Sequence, residues 1–121
     1  MGLHSEWIDN LIIGSQRPSE RLIKEFNIIE QFKNKGVVAI INLEEPGEHP
    51  YCGDGIIPRT GFSYDPETFM NSGIQYYNLY WEDLTTPKHD KTIKICQIMH
   101  HIVVRGGSER KNKILVHCHA G

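Results

Sequence analysis

Apolar positions along this chain fall into short runs whose period changes, and the changes mark out the elements. Trp7-Ile8 and Leu11 to Gly14 read as short strands joined at Asp9-Asn10, a turn-forming pair. Pro18-Ser19 then opens a helical stretch in which Leu22, Ile23, Phe26, Ile29 and Phe32 recur at helical spacings. A break is expected near Asn27, and Gly36 ends the stretch as a left-handed residue past the last turn. Val37 to Leu43 is a nearly unbroken apolar run with β-branched side chains, the pattern of a strand buried on both faces.

Residues 44–64 carry Pro46, Gly47, Pro50, Gly53, Gly55, Pro58 and Gly61, so a long ordered loop is predicted there. Pro66 to Ser72 suits a short helix ended by Gly73, and Ile74 to Tyr80 a strand. After the loop Trp81 to His89, Asp90 is expected to cap a helix reaching Arg105, with Ile95, Ile98, Met99 and Ile102 as its inner stripe and Gly106-Gly107 as its stop. Lys113 to His117 is the last strand. Strands alternating with helices through right-handed crossovers give an α/β sheet. Ligands of such sheets gather beyond the carboxyl ends of the strands, here the loops after Tyr80 and after His117.

Length fits a single domain over 1–121, with enough chain for a core that needs neither disulfides nor metal. A formal net charge of −2 supplies no basic field, which argues against nucleic acid as a partner. Three cysteines, Cys52, Cys96 and Cys118, form no CxxC pair and no disulfide framework, so a reducing, cytoplasmic setting fits. No run approaches the ~18 apolar residues of a membrane span. Met1 to Glu6 lacks the basic and apolar regions of a signal peptide, and Glu6 stands where myristoylation of Gly2 would want Ser or Thr.

The strongest chemical signal is His117-Cys118-His119-Ala120-Gly121, directly after a buried strand. If the chain curls there into a tight loop, successive N–H groups converge into an anion nest, which stabilises a thiolate and holds phosphate oxygens with the same donors. His117 is expected to order this loop rather than to act as a base. Other readings stand beside this one. Cys118 as an inert buried thiol is the usual fate of a lone cysteine, and Asp83 as a plain loop acid is ordinary. Metal is not expected: no second cluster stands at zinc spacing beside His117, Cys118 and His119, and His100 and His101 cannot share a helix face. Cys96, next to the apolar stripe, is expected in the core. Arg17 and Arg59 could contact an anion but are read first as solvated, and Tyr76, Tyr77 and Tyr80 are read first as packing.

Strand-HCxAG resembles the start of the HCxxGxxR phosphate loop of the cysteine-based protein tyrosine and dual-specificity phosphatases. Within that family the likeness to one subfamily runs along nearly the whole chain: Trp7…Asp9-Asn10, Arg17-Pro18-Ser19, Ile40-Ile41-Asn42-Leu43, Pro46-Gly47-Glu48-His49, Cys52-Gly53, Gly61-Phe62 and Trp81-x-Asp83. The resemblance implies a protein tyrosine phosphatase-like parallel or mixed sheet with flanking helices. It implies hydrolysis of phosphotyrosine or phosphoserine/threonine in a phosphorylated protein substrate, through a cysteinyl-phosphate and without a cofactor. Cys118 would be the nucleophile and Asp83 the general acid, while His117, His119, Ala120 and Gly121 would belong to the phosphate-binding loop. Glu48, His49 and Cys52 would border the substrate cleft, although a structural role suits them equally.

The family's loop continues to an arginine that clamps the phosphate, and residues 1–121 stop before it. The expectation is therefore the amino-terminal portion of one phosphatase domain, inactive as 121 residues, without the later helical part and with one side of Ile114 to Val116 uncovered. Two further classes are carried with it. One is a non-catalytic pseudophosphatase or binding fragment. The other is a rhodanese-type sulfurtransferase, which also sets a cysteine in an anion-binding loop.

Overall fold

The computed structural model describes residues 3, 5–8, 10–47, 54–79, 89–105 (backbone alone over 89–92) and 112–118. Its strands are β1 (Ser5–Trp7), β2 (Ile12–Ser15), β3 (Val37–Asn42), β4 (Gln75–Asn78) and β5 (Lys113–His117). Its helices are α1 (Glu20–Glu25), α2 (Ile28–Asn34), α3 (Pro66–Met70) and α4 (His89–Val104). The strands form one sheet in the order β1-β2-β5-β3-β4. β1 is an antiparallel edge on β2, and the other three pairings are parallel. The expected α/β class with a mixed sheet is thus the observed one.

Local chemistry sets the boundaries. Ser19 caps α1, its side-chain oxygen accepting from the Leu22 amide at 3.2 Å. Asn27 takes the left-handed conformation with φ 53°, which breaks the helical stretch into α1 and α2 where the sequence suggested. Gly36, at φ 82°, turns the chain into β3. Asp65 caps α3 by accepting from the Glu67 amide, with Pro66 in the first turn.

β3 is buried along almost its whole length because helices cover both faces of the sheet. On one side Ile13, Val37, Ile40 and Leu115 pack with Leu22, Ile23, Ile28, Phe32 and Phe69 of α1, α2 and α3. On the other, Ala39, Ile41 and Ile114 pack against Ile102, with Ile98 and Met99 of α4 partly buried beside them. The register of β3 against β5 shifts between Val37 and Ala39, which explains why these two residues, two apart, serve opposite faces. Burial of each large apolar side chain supplies about 1.5–3 kcal/mol.

Three expectations need correction. Ile114 to Val116 is not an uncovered strand: Ile114 and Leu115 are fully buried on opposite faces, under α4 and under the α1–α3 side. Cys96 is exposed rather than core. It follows Ile95 by one position, so the ~100° step of a helix carries it off the buried stripe. Asp90 falls inside α4, which already begins at His89. The expected stop at Gly106-Gly107 lies outside the described residues.

Replacing Leu115 by Ala should cost about 2–5 kcal/mol of unfolding free energy, whereas Cys96→Ser should stay within about 0.5 kcal/mol. Denaturant titration of both variants checks the pair, and a costly Cys96→Ser would contradict the exposed assignment.

Candidate active site

Parallel pairing aligns the carboxyl ends of the strands. Ser15, His117, Asn42 and Asn78 occupy one cross-strand row of β2, β5, β3 and β4. Polar side chains close to that row are held by defined partners. The Asn78 amide donates to the carbonyls of Asn42 and Glu44 at 3.0 and 2.9 Å, and the Glu44 N–H donates to the Asn42 side-chain oxygen at 2.8 Å. Cys118 is the next residue past the row on β5 and is half-buried. β5 runs between β2 and β3, so the thiol stands at a strand tip flanked by two others.

His117 is fully enclosed. Its Nε2 lies 2.7 Å from the Tyr64 hydroxyl and its Nδ1 3.1 Å from the Cys118 carbonyl oxygen. Burial, partly offset by the bond to Cys118 and reinforced by the nearby Arg17 charge, lowers its pKa from 6.5 to about 4. The imidazole is therefore neutral at physiological pH. The ring thus bridges the Tyr64 hydroxyl and the backbone of Cys118. Tyr64 is itself wholly buried, with a pKa pushed well above 10, chiefly by burial, so it keeps its proton.

Arg17 and Glu44 were not singled out together by the sequence. Arg17 follows the row on β2 by two residues and Glu44 follows it on β3 by two. Their side chains meet across the tip of β5, with Nη1 to Oε2 at 3.2 Å. Arg17 is 7 % exposed and Glu44 1 %, so Arg17 is not the solvated arginine expected. Burial of a lone charge here would cost several kcal/mol, and mutual pairing offsets it. The equal offset of the two residues from the cross-strand row is the sequence-level signal, legible only once strand order is known. Arg59, by contrast, is exposed and pairs with Asp65.

The loop before α3 carries Tyr64 beneath this site, and side chains near its ends tie it down. Ser19 donates to Asp54 at 2.7 Å, Arg21 donates to the same carboxylate at 3.0 Å, and the Ser63 hydroxyl donates to the Pro18 carbonyl. Arg21, with Ser19, holds the Asp54 carboxyl below its usual range. Gly61 needs its φ of 77°, and a Cβ there would come within 2.9 Å of Pro46. The candidate acid Asp83, the loop residues His119, Ala120 and Gly121, and the Glu48, His49, Cys52 group all lie outside the described residues. Among the described residues, no cluster of three or more His, Cys, Asp or Glu is arranged to hold a metal. None of the described helices is long and apolar enough to cross a membrane. A cavity of about 350 Å³ opens among Val38, Gln75 and Arg105, at the amino ends of the strands and away from Cys118.

His117 gives the site a pH signature. Its folded pKa lies below the unfolded one, so between about 6.5 and 4 the unfolded state binds more protons. Stability should be fully present above that window and be lost as pH falls through it, by an amount on the order of 3 kcal/mol. Unfolding titrations of the parent and of His117→Asn from neutral to acid pH check this. A parent curve no steeper than the variant's would contradict it.

Comparison with known proteins fits the geometry. No family model matches the sequence. Over 120 residues, 99 % of the chain, it is 41 % identical to protein tyrosine phosphatase domain-containing protein 1 of Danio rerio and 38 % identical to that of Mus musculus. The chain spans 16 % and 15 % of the lengths of those relatives. In fold it matches crystal structures of Tk-PTP in the active form (TM-score 0.67, 22 % identity, 97 % of this chain and 63 % of that one) and of PTPMT1 in complex with PI(5)P (TM-score 0.68, 16 % identity, 96 % and 62 %). Along 99 % of its length this chain is similar in sequence to protein tyrosine phosphatase domain-containing protein 1, and its fold is that of protein tyrosine phosphatase-like structures.

Proposed function

We propose that this chain is the amino-terminal portion of a phosphatase domain that removes phosphate from phosphotyrosine or phosphoserine/threonine in proteins, with Cys118 as nucleophile and Asp83 as general acid. The observation that carries the reading is the half-buried thiol at the carboxyl tip of β5, one residue past an enclosed neutral histidine bonded to its carbonyl. The Cys118 thiolate attacks phosphorus in line. The phosphorus–oxygen bond to the leaving group breaks, and that oxygen takes the Asp83 proton. Water then attacks phosphorus and gives its proton to Asp83, the sulfur–phosphorus bond breaks, and phosphate leaves. Backbone amides of 118–121 face the equatorial oxygens in this scheme.

The arginine of the HCxxGxxR pattern is not among residues 1–121. A polypeptide of these residues alone should therefore turn over about 10³–10⁵ more slowly than one continued by its own reading frame through that arginine. The two are compared on an aryl phosphate, with free phosphate as readout. In the continued polypeptide, Cys118→Ser should abolish turnover, and Asp83→Asn should lower kcat about 10²–10⁴-fold. Turnover that survives Cys118→Ser would overturn the assignment.

A further inference from the structure

The β3–β5 ladder holds β5 as far as His117, whose carbonyl accepts from the Leu43 N–H at 2.9 Å. The next carbonyl, that of Cys118, is met instead by the His117 ring, with Nδ1 3.1 Å away. A carbonyl only accepts, so Nδ1 must carry the ring proton. A second acceptor agrees: Glu44 Oε1, on the carboxylate that pairs with Arg17, lies 3.7 Å from the same nitrogen. A neutral imidazole protonated at Nδ1 presents a bare lone pair at Nε2. The Tyr64 hydroxyl, 2.7 Å from Nε2, is therefore the donor.

Tyr64 is held where it can do this. On one side of it the Ser63 hydroxyl donates to the Pro18 carbonyl, and on the other the Asp65 N–H donates to Glu20 Oε1 at 2.6 Å. The backbone that carries Tyr64 is thus anchored to α1 and to the turn before it. Its ring meets Phe69 and Tyr76 edge to face, with centroids 5.4 and 6.2 Å apart, so the hydroxyl is fixed in place. Tyr64 and His117 are both withdrawn from solvent, where an Nε2 without a donor is costly.

We infer that Tyr64 is a positioning residue: its hydroxyl donates to Nε2, holds His117 as the Nδ1–H tautomer and so keeps the ring N–H on the Cys118 carbonyl. Through this bond the loop before α3 sets the backbone on which the thiol stands. Tyr64 does not touch the reacting atoms. Its catalytic meaning rests on the reading of Cys118 as nucleophile, whereas the direction of the bond does not.

Long-range proton–nitrogen NMR at neutral pH, where the ring is neutral, reads both nitrogens of His117. The sample is the polypeptide continued by its own reading frame through the phosphate-loop arginine and labelled with ¹⁵N-histidine, and the signal is identified by its loss in His117→Asn. The parent should be Nδ1–H by at least about tenfold, because the reverse form sets a lone pair against two buried acceptors. Tyr64→Phe keeps the ring contacts and removes the donor, so the Nε2 resonance should move toward that of an unbonded nitrogen. With it, kcat on an aryl phosphate should fall about tenfold while KM stays within about twofold. Tyr76→Phe removes a neighbouring hydroxyl whose partner is Asn42, and should leave the Nε2 resonance in place. A parent protonated at Nε2 overturns the inference, as does Tyr64→Phe with an unmoved Nε2 resonance or an unchanged kcat. The parent spectrum decides the direction of the bond even where Tyr64→Phe does not fold. A parent without turnover whose Nε2 behaves as expected would instead sink the reading of Cys118 and leave the Tyr64–His117 assignment standing.

Discussion

Parallel pairing of β5 between β2 and β3 is the constraint on which the rest of the site depends. It brings the carboxyl ends of three strands to one level, in the row of Ser15, His117 and Asn42. Everything polar at the site is then a consequence of offset from that row. Two residues beyond it, Arg17 and Glu44 meet across the β5 tip. One residue beyond it stands Cys118, whose carbonyl the enclosed His117 engages. The hydrophobic layers hold the row in place: Leu115 and Ile114 anchor β5 from opposite faces within the same strand that carries the thiol. A shift of β5 by one residue would exchange those faces and carry Cys118 away from both flanking loops.

Burial gives this polar layer its character. Tyr64, Asn42, Glu44 and His117 are all almost wholly withdrawn from solvent, where an unmet donor or acceptor is expensive. Satisfaction comes largely from side chain to backbone bonds: Asn78 donates across to the β3 end, while the Glu44 N–H to Asn42 and His117 to Cys118 are local bonds within the end of one strand. The result is a rigid floor under a half-buried thiol.

Much of the fold was legible in the sequence because the relevant signals are local. The apolar run from Val37, the cap at Ser19, the break at Asn27 and the apolar strand before Cys118 each follow from side-chain chemistry within a few residues. Cys96 was misread because proximity to an apolar stripe in sequence is a step around the helix in space. The covering of Ile114 was missed because it depends on which face α4 takes, a long-range fact. Arg17 and Glu44, the Asn42–Tyr76 bond and the Tyr64–His117 bond were invisible for the same reason: these residues become neighbours only through the fold. The place of Cys118 at the tip of a buried strand, by contrast, was readable from the sequence, since the apolar run, the histidine and the cysteine are contiguous.

The most direct test of the account is to trap the covalent intermediate. A polypeptide carrying this chain and continued through the arginine of its phosphate loop is mixed with an aryl phosphate, quenched rapidly in acid, digested and mapped by mass spectrometry. The account predicts phosphate on the sulfur of Cys118, formed and discharged at rates compatible with turnover. Phosphate found on a histidine instead, or steady turnover with no phosphorylated Cys118 peptide at any quench time, would contradict it.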